Sequence, residues 1–201
     1  MSMMVANILQ KNIGHGIKMR KELDEALCAK YPLIFKDRNA DMRTTAMCWG
    51  FECGNGWYNI IDILCGLLTS DYRQAKSRYD NIKDKAGQPT YGFKDNGDPV
   101  GKIVTQELID EAKAKLDEET SKVPVAVQVK EKFGGLRFYV QAATDTHYKY
   151  ITFAESMSYR TCEECGAPGK RYTDGWHTTL CDIHADMNGR EEVYESDEEE
   201  E

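Results

Sequence analysis

Several things are missing from this sequence, and each absence excludes a class of protein. No apolar stretch approaches the roughly 18 residues that a membrane span requires. The apolar run around Met3–Leu9 is short, and it has neither a charged leader nor a cleavage site, so it does not read as a secretory signal. No Ser-His-Asp or Cys-His grouping is legible, and neither the phosphate-loop nor the dinucleotide-binding fingerprint occurs. Internal repeats are absent. An overall basic excess is absent too, since the formal net charge is −8.

That charge is unevenly placed. Residues 191–201 hold eight acids (Glu191, Glu192, Glu195, Asp197 and Glu198 to Glu201) and no base. Setting these eight aside leaves 26 acids against 26 Lys plus Arg, so the body is neutral. A neutral body argues against a duplex-DNA binder of the usual strongly basic kind and leaves room for a local basic patch. The tail has almost nothing to bury, so residues 189–201 are expected to be disordered. Such a run solubilises the chain, competes with nucleic acid for a basic face, or docks on a basic partner through attraction that salt weakens.

What is present can build a core. A hydrophobic content of 41% over 201 residues suits one ordinary domain with a small appendage. Residues 1–17 read as a flexible leader. Met19, Leu23, Ala26 and Leu27 recur at helical spacing up to Lys30, and Pro32 ends that helix. Trp57, Ile60, Ile61, Leu64, Cys65 and Leu68 form a second helical stripe, with Asn55 as its expected N-cap. Tyr72, Ala75, Tyr79 and Ile82 mark a more polar helix. A long loop follows over 86–101. Thr105 then caps a helix with Leu108, Ile109, Ala112 and Leu116 inward.

Residues 123–142 give the clearest strand signal. With Gly134-Gly135 as a two-residue turn, Phe133 faces Leu136, Lys132 faces Arg137, Glu131 faces Phe138 and Lys130 faces Tyr139. One face is then apolar (Val125, Val127, Val129, Phe133, Leu136, Phe138, Val140). The other carries Lys130, Lys132, Arg137 and Tyr139, a basic and aromatic surface of the kind that holds single-stranded nucleic acid; a plain solvated sheet face would look the same. A hairpin alone is not stable, so a third strand or helices must cover it. A helix near residues 146–160, with Tyr150, Phe153, Ala154 and Met157, is expected to help.

Residues 162–184 read Cys-x2-Cys, fifteen residues, Cys-x2-His. Zinc takes four such ligands in a tetrahedron, and closed sites of this composition are structural. Cys162, Cys165, Cys181 and His184 are therefore the expected ligands of one Zn2+. Gly166 permits the first tight turn, Thr173-Asp174-Gly175 supplies a second, and Trp176–Leu180 reads as the returning strand. His177 is an alternative ligand without the two-residue partner spacing. The seven cysteines of a cytoplasmic protein are reduced thiols or metal ligands, and their odd number agrees.

These segments also carry a resemblance. KYPLIF at Lys30–Phe35, MCWGFECGNGWYNIIDILC at Met47–Cys65, VKEKFGGLRFYV at Val129–Val140 and the RTCEECGAPG…LCDIH unit resemble a group of small bacteriophage- and prophage-encoded zinc-ribbon proteins. The resemblance spans most of the chain. It implies a phage setting and host cytoplasm, and carries no mechanism.

Cys48, Cys53 and Cys65 lack a fourth partner for a second metal, and read as buried thiols packed with Trp49, Phe51 and Trp57. Gly54-Asn55-Gly56 opens a helix and can cap it or receive an anion. Glu131 points into the apolar face, where a carboxylate can serve as acid or base, unless a bulge or sheet edge lets it reach water; Asp62 could pair with it across the core, although no sequence pattern links the two. The expected architecture is α+β: a helical N-terminal half on a small antiparallel sheet within residues 18–160, then a zinc ribbon over 161–188. Three functions follow in order. The first is a non-enzymatic binding module for nucleic acid or protein, the second a phage effector acting on a host protein, the third a hydrolase with a carboxylate site.

Overall fold

A computed structural model describes residues 18–90 and 102–190. The leader 1–17, residues 91–101 of the expected 86–101 loop and the acids of 191–201 lie outside the described residues. The fold is mixed α+β. Helix α1 (Lys21–Lys30) is followed by a 3-10 turn at Ala46–Trp49, the short strand β1 (Phe51–Glu52) and a second 3-10 turn at Asn55–Trp57. Then come α2 (Tyr58–Leu68), α3 (Ser70–Ile82), α4 (Gln106–Lys122), β2 (Val125–Lys132), β3 (Gly135–Gln141) and α5 (Asp145–Ser158). The C-terminal unit holds β4 (Lys170–Tyr172), β5 (Thr178–Leu180) and α6 (Asp182–Met187).

The main sheet runs β1-β2-β3, with β1 parallel to β2 and β3 antiparallel to it, so it is mixed rather than antiparallel. The missing third strand is β1, only two residues long and too short to show in the alternation. The hairpin turn is also one residue earlier than expected. Phe133 and Gly134 both have positive φ, at 55° and 76°, which is the backbone of a type I′ turn. Lys132 therefore faces Gly135, Glu131 faces Leu136, Lys130 faces Arg137 and Val129 faces Phe138. Each partner moves by two positions along β3, so the apolar and polar faces keep their parity. A bulge between Ala126 and Gln128 then turns the first residues of β2 over.

The bulge leaves backbone groups to satisfy, and neighbouring segments do so. The Ala126 N–H donates to the Ile34 carbonyl at 2.9 Å, and the Thr45 hydroxyl to the Val127 carbonyl at 3.2 Å. On the far edge, α5 covers β3 with side chains rather than another strand. Ser158 Oγ accepts from Leu136 N at 2.8 Å and Glu155 Oε1 from Phe138 N at 2.9 Å. An edge closed this way offers little template for aggregation.

The core is built from the predicted stripes with two changes of phase. Trp57, Ile61, Leu64, Cys65 and Leu68 are buried as expected, against Phe35, Phe51, Val129, Leu136 and Phe138. Phe35 meets Phe51 edge-on at 5.0 Å between centroids, a favourable aromatic geometry. On α5 the buried residues are Ile151, Ala154 and Ser158, while Phe153 and Met157 face solvent. On α1 Ala26 is exposed and Asp24 is buried instead. Hydrophobic spacing could not show this, because Asp24 is held by charge. Arg38 Nε and Nη2 reach its two oxygens at 3.0 and 2.9 Å, and Arg38 Nη1 also reaches the Cys48 carbonyl at 3.0 Å. A Cβ on Gly50 would come within 2.5 Å of Asp24 Oδ2, so only glycine fits over this pair. Asp24→Ala is expected to destabilise the protein by about 2–4 kcal/mol, because it strands a half-buried guanidinium. Urea denaturation measures it.

A smaller cluster of Ile82, Val104, Ile109 and Ala112 joins α3 to α4, and Thr105 Oγ1 accepts from Leu108 N as the expected cap. Asn55 does not cap α2. It lies in the preceding 3-10 turn, and its Oδ1 accepts from Arg20 N at 2.8 Å, tying the start of α1 to this loop. Among the described residues no helix is long and apolar enough to cross a membrane.

Candidate metal centre and the surface beside it

The C-terminal unit is too small to hold itself together by burial. Its cluster is Cys162, Tyr172, Leu180 and Ala185, with Cys181 packed against it. Its local turns bring four donors to one point. Gly166, at φ 79°, donates its N–H to the Cys162 carbonyl at 2.9 Å and folds Cys162 and Cys165 onto one knuckle. The β4–β5 hairpin, with Gly175 at φ 81° in its loop, returns the chain to Cys181. Helix α6 then places His184 one turn later. The strand begins at Thr178 rather than Trp176, which sits in the loop, three-quarters exposed.

The Sγ atoms of Cys162, Cys165 and Cys181 and a ring nitrogen of His184 all lie within 4.8 Å of one another. His184 Nδ1 is 3.1 Å from Cys181 Sγ and 3.6 Å from Cys162 Sγ, and the sulfurs of Cys165 and Cys181 are 3.8 Å apart. These four residues can hold a metal ion. The Cys181 thiol is lowered to about 7 by hydrogen bonds from the His184 backbone and ring, while burial raises Cys162 to about 11. His177 is not part of the cluster. It pairs with Arg171 Nη2 at 3.1 Å and meets the Phe133 ring edge-on. Cys48, Cys53 and Cys65 form no second cluster among the described residues. Cys53 and Cys65 are fully buried in the main core, where desolvation keeps both thiols well above their ordinary pKa. No disulfide joins any of the seven cysteines.

The C-terminal unit is seated on the core through residues whose role the sequence did not reveal. The Gly54-Asn55-Gly56 turn does receive a carboxyl group, but it is the protein's own. Glu163, between the first two cysteines, accepts from Gly54 N through Oε1 at 2.9 Å and from Gly56 N through its carbonyl at 2.7 Å. Glu163 is almost wholly buried, and desolvation pushes it up to about 8. Trp57 Nε1 donates to the Thr161 carbonyl at 2.8 Å. At the other end, the hairpin turn is gripped by the β4–β5 unit. Thr179 Oγ1 donates to the Gly134 carbonyl at 2.5 Å and Arg171 Nε to the Phe133 carbonyl at 3.0 Å. A Cβ on Gly135 would stand 2.4 Å from the Tyr159 ring, so Gly135 serves a close approach rather than the turn itself.

Glu131 is half-buried at the end of β2, and its Oε1 accepts from Gly134 N at 2.6 Å, closing the turn. Asp62 takes the Lys30 ammonium at 2.7 Å and the Tyr31 hydroxyl at 2.8 Å, and makes no bond to Glu131. Lys130 Nζ lies 5.7 Å from the Tyr139 ring centroid, and Lys132 Nζ lies 5.3 Å from that of Phe133. Arg137 is turned towards α5, where Nη2 donates to the Tyr159 hydroxyl at 2.7 Å. Between the hairpin tip and the 173–177 loop runs a cleft of about 430 Å³, whose walls include Lys130, Lys132, Phe133 and Trp176.

Fold and site together define an α+β protein with a Cys3His cluster able to hold a metal ion. No protein-family model, curated protein or solved structure matches the chain.

Proposed function

We propose that this chain is a zinc-stapled, non-enzymatic binding module for single-stranded nucleic acid, acting in the host cytoplasm in the phage or prophage setting that its motifs resemble. Zinc is supported by the donor set and its spacing. Three thiolates and one imidazole are borderline-soft ligands, and Zn–S bonds of about 2.3 Å require sulfurs roughly 3.8 Å apart in a tetrahedron. The 3.8 Å between Cys165 and Cys181 matches that edge. Four protein ligands leave no open position, which supports a structural ion. Metal at this site would order the knuckle that rests on Gly54 and Gly56 and the hairpin that grips Gly134.

The observation that carries the nucleic-acid reading is the alternation of cations and rings on the hairpin. Lys130 and Lys132 stand beside Tyr139 and Phe133, and both rings are exposed. Rings of this kind accept bases of any sequence, while ammonium groups meet phosphates. A second reading, a protein partner of effector type, has its support in Ile63 and Phe153, each 65% exposed.

Fluorescence anisotropy with a labelled oligothymidylate tests the first reading. Binding is expected to weaken with salt, and Lys130→Ala with Lys132→Ala is expected to cost about tenfold at low salt. The slope of log K against log salt should fall by about 1.4, since each phosphate contact on a single strand contributes roughly 0.7. No binding at low salt would sink the reading.

A further inference from the structure

We infer that the cleft between the hairpin tip and the 173–177 loop is a nucleobase seat, in which one unpaired base stacks on Trp176 and Phe133 while its flanking phosphates meet Lys130 and Lys132. This rests on the nucleic-acid reading and names the place where it acts. Three observations lead to it. First, Trp176 is 75% exposed and Phe133 59% exposed, although both lie on short, well-tied turns. Large rings kept in water on rigid backbone are poised to bury area on binding at little entropic cost. Second, the backbone around them is fixed from both sides. The Trp176 carbonyl accepts from Arg190 Nη2 at 2.6 Å, and the Phe133 carbonyl from Arg171 Nε at 3.0 Å. His177 meets the Phe133 ring edge-on at 6.0 Å between centroids, which steadies one wall. Third, the charge at the cleft suits a polyanion. Lys130 and Lys132 line it, and the one carboxylate on the walls, Glu131, has Oε1 occupied by the Gly134 N–H.

Extended acidic peptide would satisfy the lysines but offers a ring to Trp176 only where it carries an aromatic residue, whereas every nucleotide of a strand brings a flat base. Duplex would satisfy the lysines but keeps its bases stacked on one another. Single-stranded nucleic acid supplies both the phosphate and the exposed π-face, so it is the occupant that uses every wall. Trp176 and His177 belong to the metal-binding unit, whereas Lys130, Lys132 and Phe133 belong to the main sheet. The seat therefore exists only while the two are held together.

The test uses the full metal-loaded chain and three probes at low salt: an oligothymidylate, an abasic oligonucleotide of equal length, and polyglutamate. The expected result is that the oligothymidylate binds at least tenfold more tightly than either of the others. Trp176→Ala should remove that preference, weakening the base-bearing strand about 5- to 100-fold and leaving the abasic strand unchanged, the range that loss of one stacked base produces. Trp176→Phe should restore most of it. Because the side chain is exposed, metal content and circular dichroism should be unchanged in both variants. If oligothymidylate binds with the expected salt slope but the abasic strand binds equally well, or Trp176→Ala has no effect, the seat is refuted and the hairpin reading survives. Equal binding of polyglutamate shows that only charge is read and also refutes the seat. If no oligonucleotide binds, both fail together.

Discussion

Replacing Cys165 with serine is expected to abolish metal binding at the proposed site and to unfold residues 161–190. The size of the effect follows from how little else holds that unit. Its apolar cluster comprises four buried residues, and two of its strands are three residues long. In units of this kind the metal supplies the folding free energy, on the order of 10 kcal/mol in metal-dependent peptides at neutral pH. Cys165 is the informative ligand because it is exposed. A serine there creates no core cavity, so the destabilisation reports on metal rather than on packing. Loss should spread to the core, since Trp57 Nε1, Gly54 N and Gly56 N all lose partners at Thr161 and Glu163. Elemental analysis should give one metal per chain in the parent protein and none in the variant, and a chelator applied to the parent should reproduce the variant's change in tryptophan fluorescence. Unchanged metal content in Cys165→Ser contradicts the ligand set. Lowering the pH should have the same effect as chelation, because the three cysteines bind as thiolates and protons compete with the metal for them.

The second large effect is expected from one methyl group. A Cβ on Gly56 would stand 2.1 Å from the Cys162 carbonyl oxygen and 2.5 Å from Gly166 N. Both are backbone atoms within the first knuckle, so no side chain can move aside. The Gly56 turn and the knuckle must separate, breaking the 2.7 Å bond from Gly56 N to the Glu163 carbonyl and leaving a buried Glu163 without its setting. Gly56→Ala should therefore cost about 3 kcal/mol or more, above the usual range for overpacking. For a chain of this length that lowers Tm by roughly 10 °C. Gly87 is the internal control. It has nothing within 4 Å of an added Cβ, so Gly87→Ala carries only the strain of its φ of 76°. If both alanine variants lose equally little stability, the close approach at Gly56 is wrong.

How far the sequence could be read depended on the kind of interaction involved. Periodicity located the stripe from Trp57 to Leu68 because that helix is buried along one face by apolar side chains alone. The Cys3His cluster was legible because the Cys-x2-Cys and Cys-x2-His pairs are local constraints. The burial of Asp24 in place of Ala26 was not legible for the opposite reason: it depends on Arg38, fourteen residues away, and no local pattern records that pairing. The hairpin turn slipped by one residue because two glycines invite the turn, yet the backbone puts Phe133 at positive φ and spends Gly135 on contact with Tyr159. β1 and the seating of Glu163 on Gly54 were invisible, since both join segments far apart in the chain. The signal that could have pointed to the second is the composition of the turn: two glycines flanking Asn55 are more than a helix start requires, and a close backbone approach explains the excess. Trp176 was assigned to a strand because a large apolar residue before Thr178-Thr179-Leu180 extends the alternation; its exposure is a tertiary fact.

The proposed zinc both orders the C-terminal unit and seats it on the core, so its identity and its ligands are the quantities to measure. X-ray absorption at the zinc edge, on the intact protein as purified, measures both at once. The expected result is one zinc per chain with three sulfurs at about 2.3 Å and one nitrogen at about 2.0 Å, the distances of a closed thiolate–imidazole site. A shell dominated by oxygen, or protein that folds and keeps its Trp57 environment with no metal bound, would contradict it.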